Sequence, residues 1–262
     1  MTASGGTLRA RSLAKSFRVK GRDPVRVLDD CSLTAAAGRL TVLMGPSGSG
    51  KSTLAYILAG YVRPDSGEVL LDDIVVRDPG RDRLMVFQET TLWPWMTVGG
   101  NVLFGPQMRA VETKAEAGAK AHALLGRFGL GDFRDKYPGQ LSGGMKRRAE
   151  IAQALINNPR VLIMDEPFRG LDVMTRELMQ EYYLKVFEET HPTTLFITSE
   201  IEEAIFLADL ILFMDPSLGR IGQSIEVDLP RPRTFDVMAT EKYREIKARA
   251  IETLYAREST AV

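Results

Sequence analysis

The sequence predicts an α/β fold: a mainly parallel sheet with helices on both faces. Three observations carry that reading. Short apolar runs alternate with helical patterns along most of the chain. A glycine-rich turn lies between one such run and a helix. Residues 92–157 interrupt the alternation with a continuous helical texture, read as an insertion. With 262 residues, 44% of them hydrophobic, the chain can bury one large core and still carry an inserted subdomain.

Taken in order, "TLRARSLAKSF" and "VRVLDDCSL" read as the first strands, and "RLTVLM" as a buried strand running into the glycine turn. "STLAYILAG" follows as a helix. "GEVLLDDIVV" reads as a hairpin with Asp72 and Asp73 as turn residues. "LMVF" at 84–87 is a further short strand. In the insertion, Ala117, Ala121, Leu124, Leu125 and Phe128 share one helical face, and Met145, Ala149, Ala152, Leu155 and Ile156 share another. Strands return at "VLIM" (161), "TLFI" (194) and "LILFM" (210), with a helix of Leu178, Tyr182 and Val186 between the first two. The expected organisation is a core with its β subdomain in 1–91 and 158–225, a helical subdomain in 92–157, and a C-terminal helical tail in 226–262.

Composition excludes several classes. Lys+Arg and Asp+Glu balance at 34 each, so the excess positive charge of a general nucleic-acid binder is missing. The one cysteine, Cys31, allows no intrachain disulfide and fits a reducing compartment. No apolar run is long enough to cross a bilayer, and "MTASGGTLRARSL" has no signal-peptide core. The expectation is a soluble cytoplasmic protein whose membrane role, if any, comes through a partner.

The residues then point to chemistry. "GPSGSGKS", Gly45–Ser52, meets G-x-x-x-x-G-K-[ST] at every fixed position and in the strand–loop–helix context. Its glycines let the backbone wrap phosphate oxygens at a helix N-terminus, Lys51 reaches the β- and γ-phosphates, and the Ser52 hydroxyl coordinates Mg²⁺. A glycine turn that merely contains a lysine is the bland alternative, and the full pattern disfavours it. Asp165 and Glu166 close an apolar strand. Asp165 suits the Mg²⁺ shell and Glu166 an attacking water, whereas alone the pair would equally serve as a helix cap. "LSGGMKRR" places Ser142, Gly143 and Gly144 at a helix start, a second anion site far from the first in sequence.

With these motifs the sequence resembles the ATP-binding cassette (ABC) transporter ATPases over nearly its whole length. The resemblance implies a P-loop NTPase with a RecA-like core, an N-terminal antiparallel β subdomain and an inserted helical subdomain. It implies ATP contacts at Gly45, Ser47, Gly48, Ser49, Gly50, Lys51, Ser52, Thr53 and Gln88, with Ser52, Gln88 and Asp165 around Mg²⁺. It also implies a head-to-tail dimer in which Ser142, Gly143, Gly144 and Met145 of one cassette close on the other's ATP. Asp172, in "RGLD", would communicate across that interface. Phe17 would stack on adenine or else sit in the core. "LWPWMTVGGNVLFG" (92–105) and "DLPRPR" (228–233) are similar to the nitrate/sulfonate/taurine-type import ATPases. In that setting Trp93 and Trp95 either pack inside the insertion or line a groove for a membrane subunit. The implied partners are a second ATPase subunit, transmembrane permease subunits and, indirectly, a substrate-binding protein, at the cytoplasmic face of the membrane. The cargo implied is a small nitrogen- or sulfur-containing solute, and the "TSE" tip is similar to ATPases that accompany urea-carboxylase or guanidine-degradation enzymes.

That tip, Thr198-Ser199-Glu200, departs from the family's Thr-His-Asp. Ser199 stands where a histidine contacts the γ-phosphate, and a serine offers one neutral donor. Losing a positioned transition-state donor costs about 3 kcal/mol, roughly a hundredfold in rate. His122 and His191 lie elsewhere and read as bystanders. Slow hydrolysis, a competent partner subunit, or ATP binding as the signal are the three consequences, and the retained Glu166 favours the first. Ser199→His would then raise turnover, unless the site has been rebuilt around serine. A regulatory or non-transport nucleotide-binding module is the rival reading.

Overall fold

Strand β3 (Leu40–Met44), which feeds the glycine loop, lies in the interior of a six-stranded sheet. The computed structural model describes residues 5–255 except 19, 22, 110, 111 and 216. In the sheet, β3 is flanked by β8 (Thr193–Thr198) and β9 (Leu210–Asp215), and β7 (Val161–Asp165) and β6 (Arg83–Val86) continue beyond β8. These five are parallel, and β10 (Arg220–Glu226) closes the β9 edge antiparallel. A second, antiparallel sheet has the order β2 (Val25–Ala35), β1 (Leu8–Phe17), β4 (Ser66–Leu71), β5 (Ile74–Val75). Asp72 and Asp73 turn the β4–β5 hairpin with φ of 49° and 65°, the left-handed pair that a two-residue turn requires.

The strand sequences explain the layers. In β7, Leu162 and Met164 point to one core, and Val161 and Ile163 to the other. Phe196 of β8 likewise opposes Leu195 and Ile197. Both faces are therefore apolar, as a covered parallel sheet demands. Helix α1 (Lys51–Ala59) and the antiparallel sheet cover one face. The other lies under α5 (Val173–Thr190), α6 (Ile201–Leu207), α7 (Glu241–Tyr255) and the inserted helices α2 (Val98–Arg109), α3 (Lys114–Arg127) and α4 (Gly143–Leu155). Thr113 and Glu116 form a capping box at the start of α3.

Two expectations are corrected. Leu178 is 42% exposed and Tyr182 half-buried, and the buried face of α5 is Met179, Tyr183, Val186 and Phe187, which keeps only Val186 of the expected three. Phe17 is 41% exposed at the end of β1, which removes its core reading. The tryptophans divide. Trp93 packs edge-on to Phe104 with centroids 4.0 Å apart, whereas Trp95 is 71% exposed. The backbone around Trp93 is held by buried Asn101, whose side chain accepts from Trp93 N and donates to Trp93 O. Of the expected C-terminal helical tail, residues 256–262 lie outside the described residues.

The two arginines of "DLPRPR" are structural. Buried Arg233 donates to the carbonyls of Phe206 (2.9 Å) and Ala208 (2.7 Å), and Arg231 to that of Leu207 (2.8 Å). These are the open carbonyls at the end of α6, where a cation is favoured. The rings of Phe206 and Phe235 stack at 4.5 Å. The C-terminal segment thus fixes the helix whose first turn follows Ser199 and Glu200.

Candidate active site

Parallel strands end on the same side, so the tips of β3, β8, β7 and β6 must meet. The register makes this concrete: Met44 pairs with Thr198, Asp165 with Ile197, and Val86 with Met164. Gly45, Ser199, Glu166 and Gln88 each lie within two residues of one of these pairs. Ligands of open α/β sheets bind at this carboxyl edge.

The loop after β3 has a shape only glycines allow. Gly50, the N-cap of α1, has φ 98°, and a Cβ there would stand 3.1 Å from the Val27 carbonyl. Around Gly48 there is open space, and Pro46, Ser47 and Ser52 are exposed. Lys51 is buried, and its ammonium donates to the carbonyls of Gly45 (2.7 Å) and Pro46 (2.8 Å). Burial pushes the Lys51 pKa down, and the charges of Glu166 and Asp165 oppose that shift. Ser49 Oγ is buried with no hydrogen-bond partner among the described residues. Thr53 is half-buried in the first turn of α1.

Asp165 is almost fully buried, and its pKa is raised, first by burial and then by Glu166, while a hydrogen bond from Ser52 counters this. Its Oδ1 has no partner among the described residues. A buried carboxylate with an unused oxygen beside a hydroxyl offers oxygen ligands that fit a hard divalent cation. Glu166, on the outer side of the tip, has φ 43°, a left-handed backbone that costs a non-glycine about 1–2 kcal/mol. Its N–H donates to Ile197 O at 2.9 Å, and its Oε2 accepts from Arg169 Nη1 at 2.7 Å. Ser199 is exposed and lines a cavity of about 50 Å³ with Glu166, Arg169, Arg176 and Glu200. Phe17 pairs with Val25 on β2, two residues from the Val27 that abuts Gly50, and its exposed ring lies under the Lys15 ammonium.

Gln88 is exposed on the strand exit after β6. Its backbone is held by a group that the sequence reading passed over. Arg147 of α4 donates to the carbonyls of Phe87 (2.6 Å) and Gln88, and pairs with Glu150 at 2.9 Å. Glu150 in turn accepts from the backbone N–H of Thr91. Both side chains of the pair are buried, and burial raises the Glu150 pKa while Arg147 opposes it. On a helix wheel, Arg147 and Glu150 look like a solvated i,i+3 pair, which is why the pattern concealed them. Removing one partner of a buried pair costs about 3 kcal/mol or more. Arg147→Ala should therefore lower the Tm on the order of 10 °C, whereas an unchanged melting curve would mean the pair is not buried in solution.

The signature residues stand apart. Ser142 caps α4, its Oγ accepting from Met145 N at 3.3 Å, and both Ser142 and Gly143 are exposed. Gly144 is packed so closely on α5 that a Cβ would lie 2.5 Å from Thr175 Cγ2. Asp172 caps α5 through Thr175 N (3.0 Å) and Oγ1 (2.7 Å), bonds that hold its carboxyl below the usual range. Among the described residues, no hydrogen bond or ion pair joins Ser142, Gly143, Met145 or Asp172 to residues 45–53. His122 and His191 are exposed and touch none of these groups, His191 resting edge-on against Phe187.

The family model described as ABC transporter matches residues 28–169. The taurine import ATP-binding protein TauB of Pseudomonas putida is 44% identical over 202 residues, 77% of each chain. The bicarbonate transport ATP-binding protein CmpD of Synechocystis sp. is 39% identical over 239 residues, 90% of this chain and 85% of that one. A solved dimeric ATP-binding cassette in a post-hydrolysis state, bound to ADP and Pi, is similar with a TM-score of 0.75 at 29% identity, over 85% of this chain and all of that one. With the family model matching residues 28–169 and relatives at 44% and 39% identity, the chain belongs to the ABC transporter family as one of its ATP-binding cassettes.

Proposed function

We propose that the chain is the ATP-hydrolysing subunit of an importer, working as a pair of cassettes beneath separate membrane subunits. The observation that carries this reading is the meeting of Lys51, Asp165, Glu166, Gln88 and Ser199 at one sheet edge while Ser142 and Gly143 remain exposed elsewhere. One chain offers half of each of two anion sites, so a second copy of the cassette completes them.

In this reading the loop from Gly45 to Thr53 binds the phosphates with its backbone N–H groups, and Phe17 stacks on the base. Lys51 exchanges its two carbonyl partners for phosphate oxygens. Ser52, Asp165 and Gln88 would hold Mg²⁺, which when bound neutralises charge on the β- and γ-phosphates. Glu166 accepts the proton of the attacking water, and Ser199 supplies one hydrogen bond at the phosphate. Closure of the dimer, with Asp172 near its seam, transmits the nucleotide state. Exposed Trp95, in the segment after Gln88, then faces the membrane subunit, and in this reading the chain works at the cytoplasmic face of the membrane. The cargo is a small solute delivered by a binding protein, as the names of the taurine and bicarbonate relatives suggest.

The test uses Gly143→Asp. A Cβ at this position meets only Leu171 Cδ2 at 3.9 Å, an ordinary contact, and an acidic residue suits a helix N-terminus. The variant should fold and bind ADP as well as the parent. It should lose ATP-dependent dimerisation and nearly all turnover, because the added charge faces the partner's γ-phosphate. A variant that dimerises and hydrolyses normally would contradict the reading.

A further inference from the structure

We infer that Arg169 is a positioning residue for hydrolysis, holding the Glu166 carboxylate on the side where Ser199 leaves room. The inference rests on the reading of Glu166 as the water-activating group.

The contact is built by the backbone. Arg169 N–H donates to Glu166 O at 3.1 Å, closing the turn Glu166-Pro167-Phe168-Arg169, and Gly170 follows with φ 77°. Pro167 presets the turn. Across it, the guanidinium reaches Glu166 Oε2 at 2.7 Å. The backbone of Glu166 is fixed by its N–H on Ile197, and its carboxylate is held by Arg169.

Neighbouring cations are engaged elsewhere. Lys51 is bound to the Gly45 and Pro46 carbonyls, and Arg176 to the Leu171 carbonyl (3.3 Å) with Glu200 at 3.6 Å. Among the described residues, Arg169 is the cation ion-paired with Glu166. Arg169 and Ser199 line the same small cavity, and the Arg169 side chain is 59% exposed toward the open edge. A guanidinium has five donors and a fixed charge, so it can hold a carboxylate with one N–H and keep others for phosphate oxygens. Serine, with one neutral donor, cannot do both and carries no charge. The charge lacking at position 199 is thus supplied from 169.

The test is a cycle of Arg169→Ala, Arg169→Lys, Ser199→His and Arg169→Ala/Ser199→His, with Glu166→Gln as control. Melting curves and ADP affinity by calorimetry verify each fold, and an exposed arginine leaves both near wild type. Arg169→Ala should lower kcat by about ten- to a hundredfold, the effect of a misplaced catalytic group, with the KM for ATP little changed. Arg169→Lys should recover part of the loss. Ser199→His should raise kcat by at least about tenfold more in the Arg169→Ala background than in wild type. Unchanged or increased kcat in Arg169→Ala, a loss confined to KM, or equal histidine gains in the two backgrounds would overturn the inference. If Glu166→Gln itself turns over normally, the reading of Glu166 fails instead.

Discussion

Lys51→Ala should abolish productive nucleotide binding, with ATP affinity falling at least about a hundredfold, or about 2.7 kcal/mol. The ammonium lies across the mouth of the loop, bound at 2.7 and 2.8 Å to the two carbonyls that precede Ser47. Its partners are replaceable, since a phosphate oxygen offers a stronger acceptor in the same place. Burial works against its charge while Asp165 and Glu166 work for it, and an incoming triphosphate adds to the favourable side. Truncation removes the buried cation of the loop and frees two carbonyls, one of them on exposed Pro46. The fold should therefore survive, with a melting curve close to the parent's. Calorimetric titration with ATP measures the loss, and an affinity within about threefold of wild type would remove the loop assignment.

Glu166→Gln separates binding from chemistry. The amide keeps the size of the carboxylate and still accepts from Arg169, so the turn from 166 to 169 and the bond to Ile197 are preserved. What it loses is the capacity to take a proton from water, typically worth a factor of about 100 to 10,000. Turnover should fall into that range while ATP still binds, and the ATP-bound dimer, no longer consumed, should accumulate on a sizing column. A variant that binds ATP and stays monomeric would count against the paired cassettes.

How much of this was legible in the sequence differs by residue. The strand tips were readable because a buried parallel strand is an unbroken apolar run, and Asp165, Glu166 and Ser199 each end one. The Asp72-Asp73 turn was readable because its backbone demand is local. Hidden features depend on which carbonyls are left without partners after folding. Arg233 caps α6 from 25 residues away, and Arg147 holds strand-end carbonyls 59 and 60 residues earlier. No local pattern records such a debt. Arg169 was visible in "RGLD", but its hold on Glu166 needs the left-handed backbone at 166, which periodicity does not reveal. Leu178 misled for a related reason: α5 offers apolar residues on several faces, with Val173 and Met174 also exposed, so spacing alone could not choose the buried one.

The central claim is that two copies of this cassette share ATP and hydrolyse it through Glu166. Steady-state hydrolysis by the purified chain, measured across a range of chain concentrations with Glu166→Gln as the blank, tests it most directly. Activity above the blank is expected, with a rate per chain that rises with concentration until dimers saturate. A rate per chain that is independent of concentration across the monomer range, or one equal to the blank throughout, would contradict it.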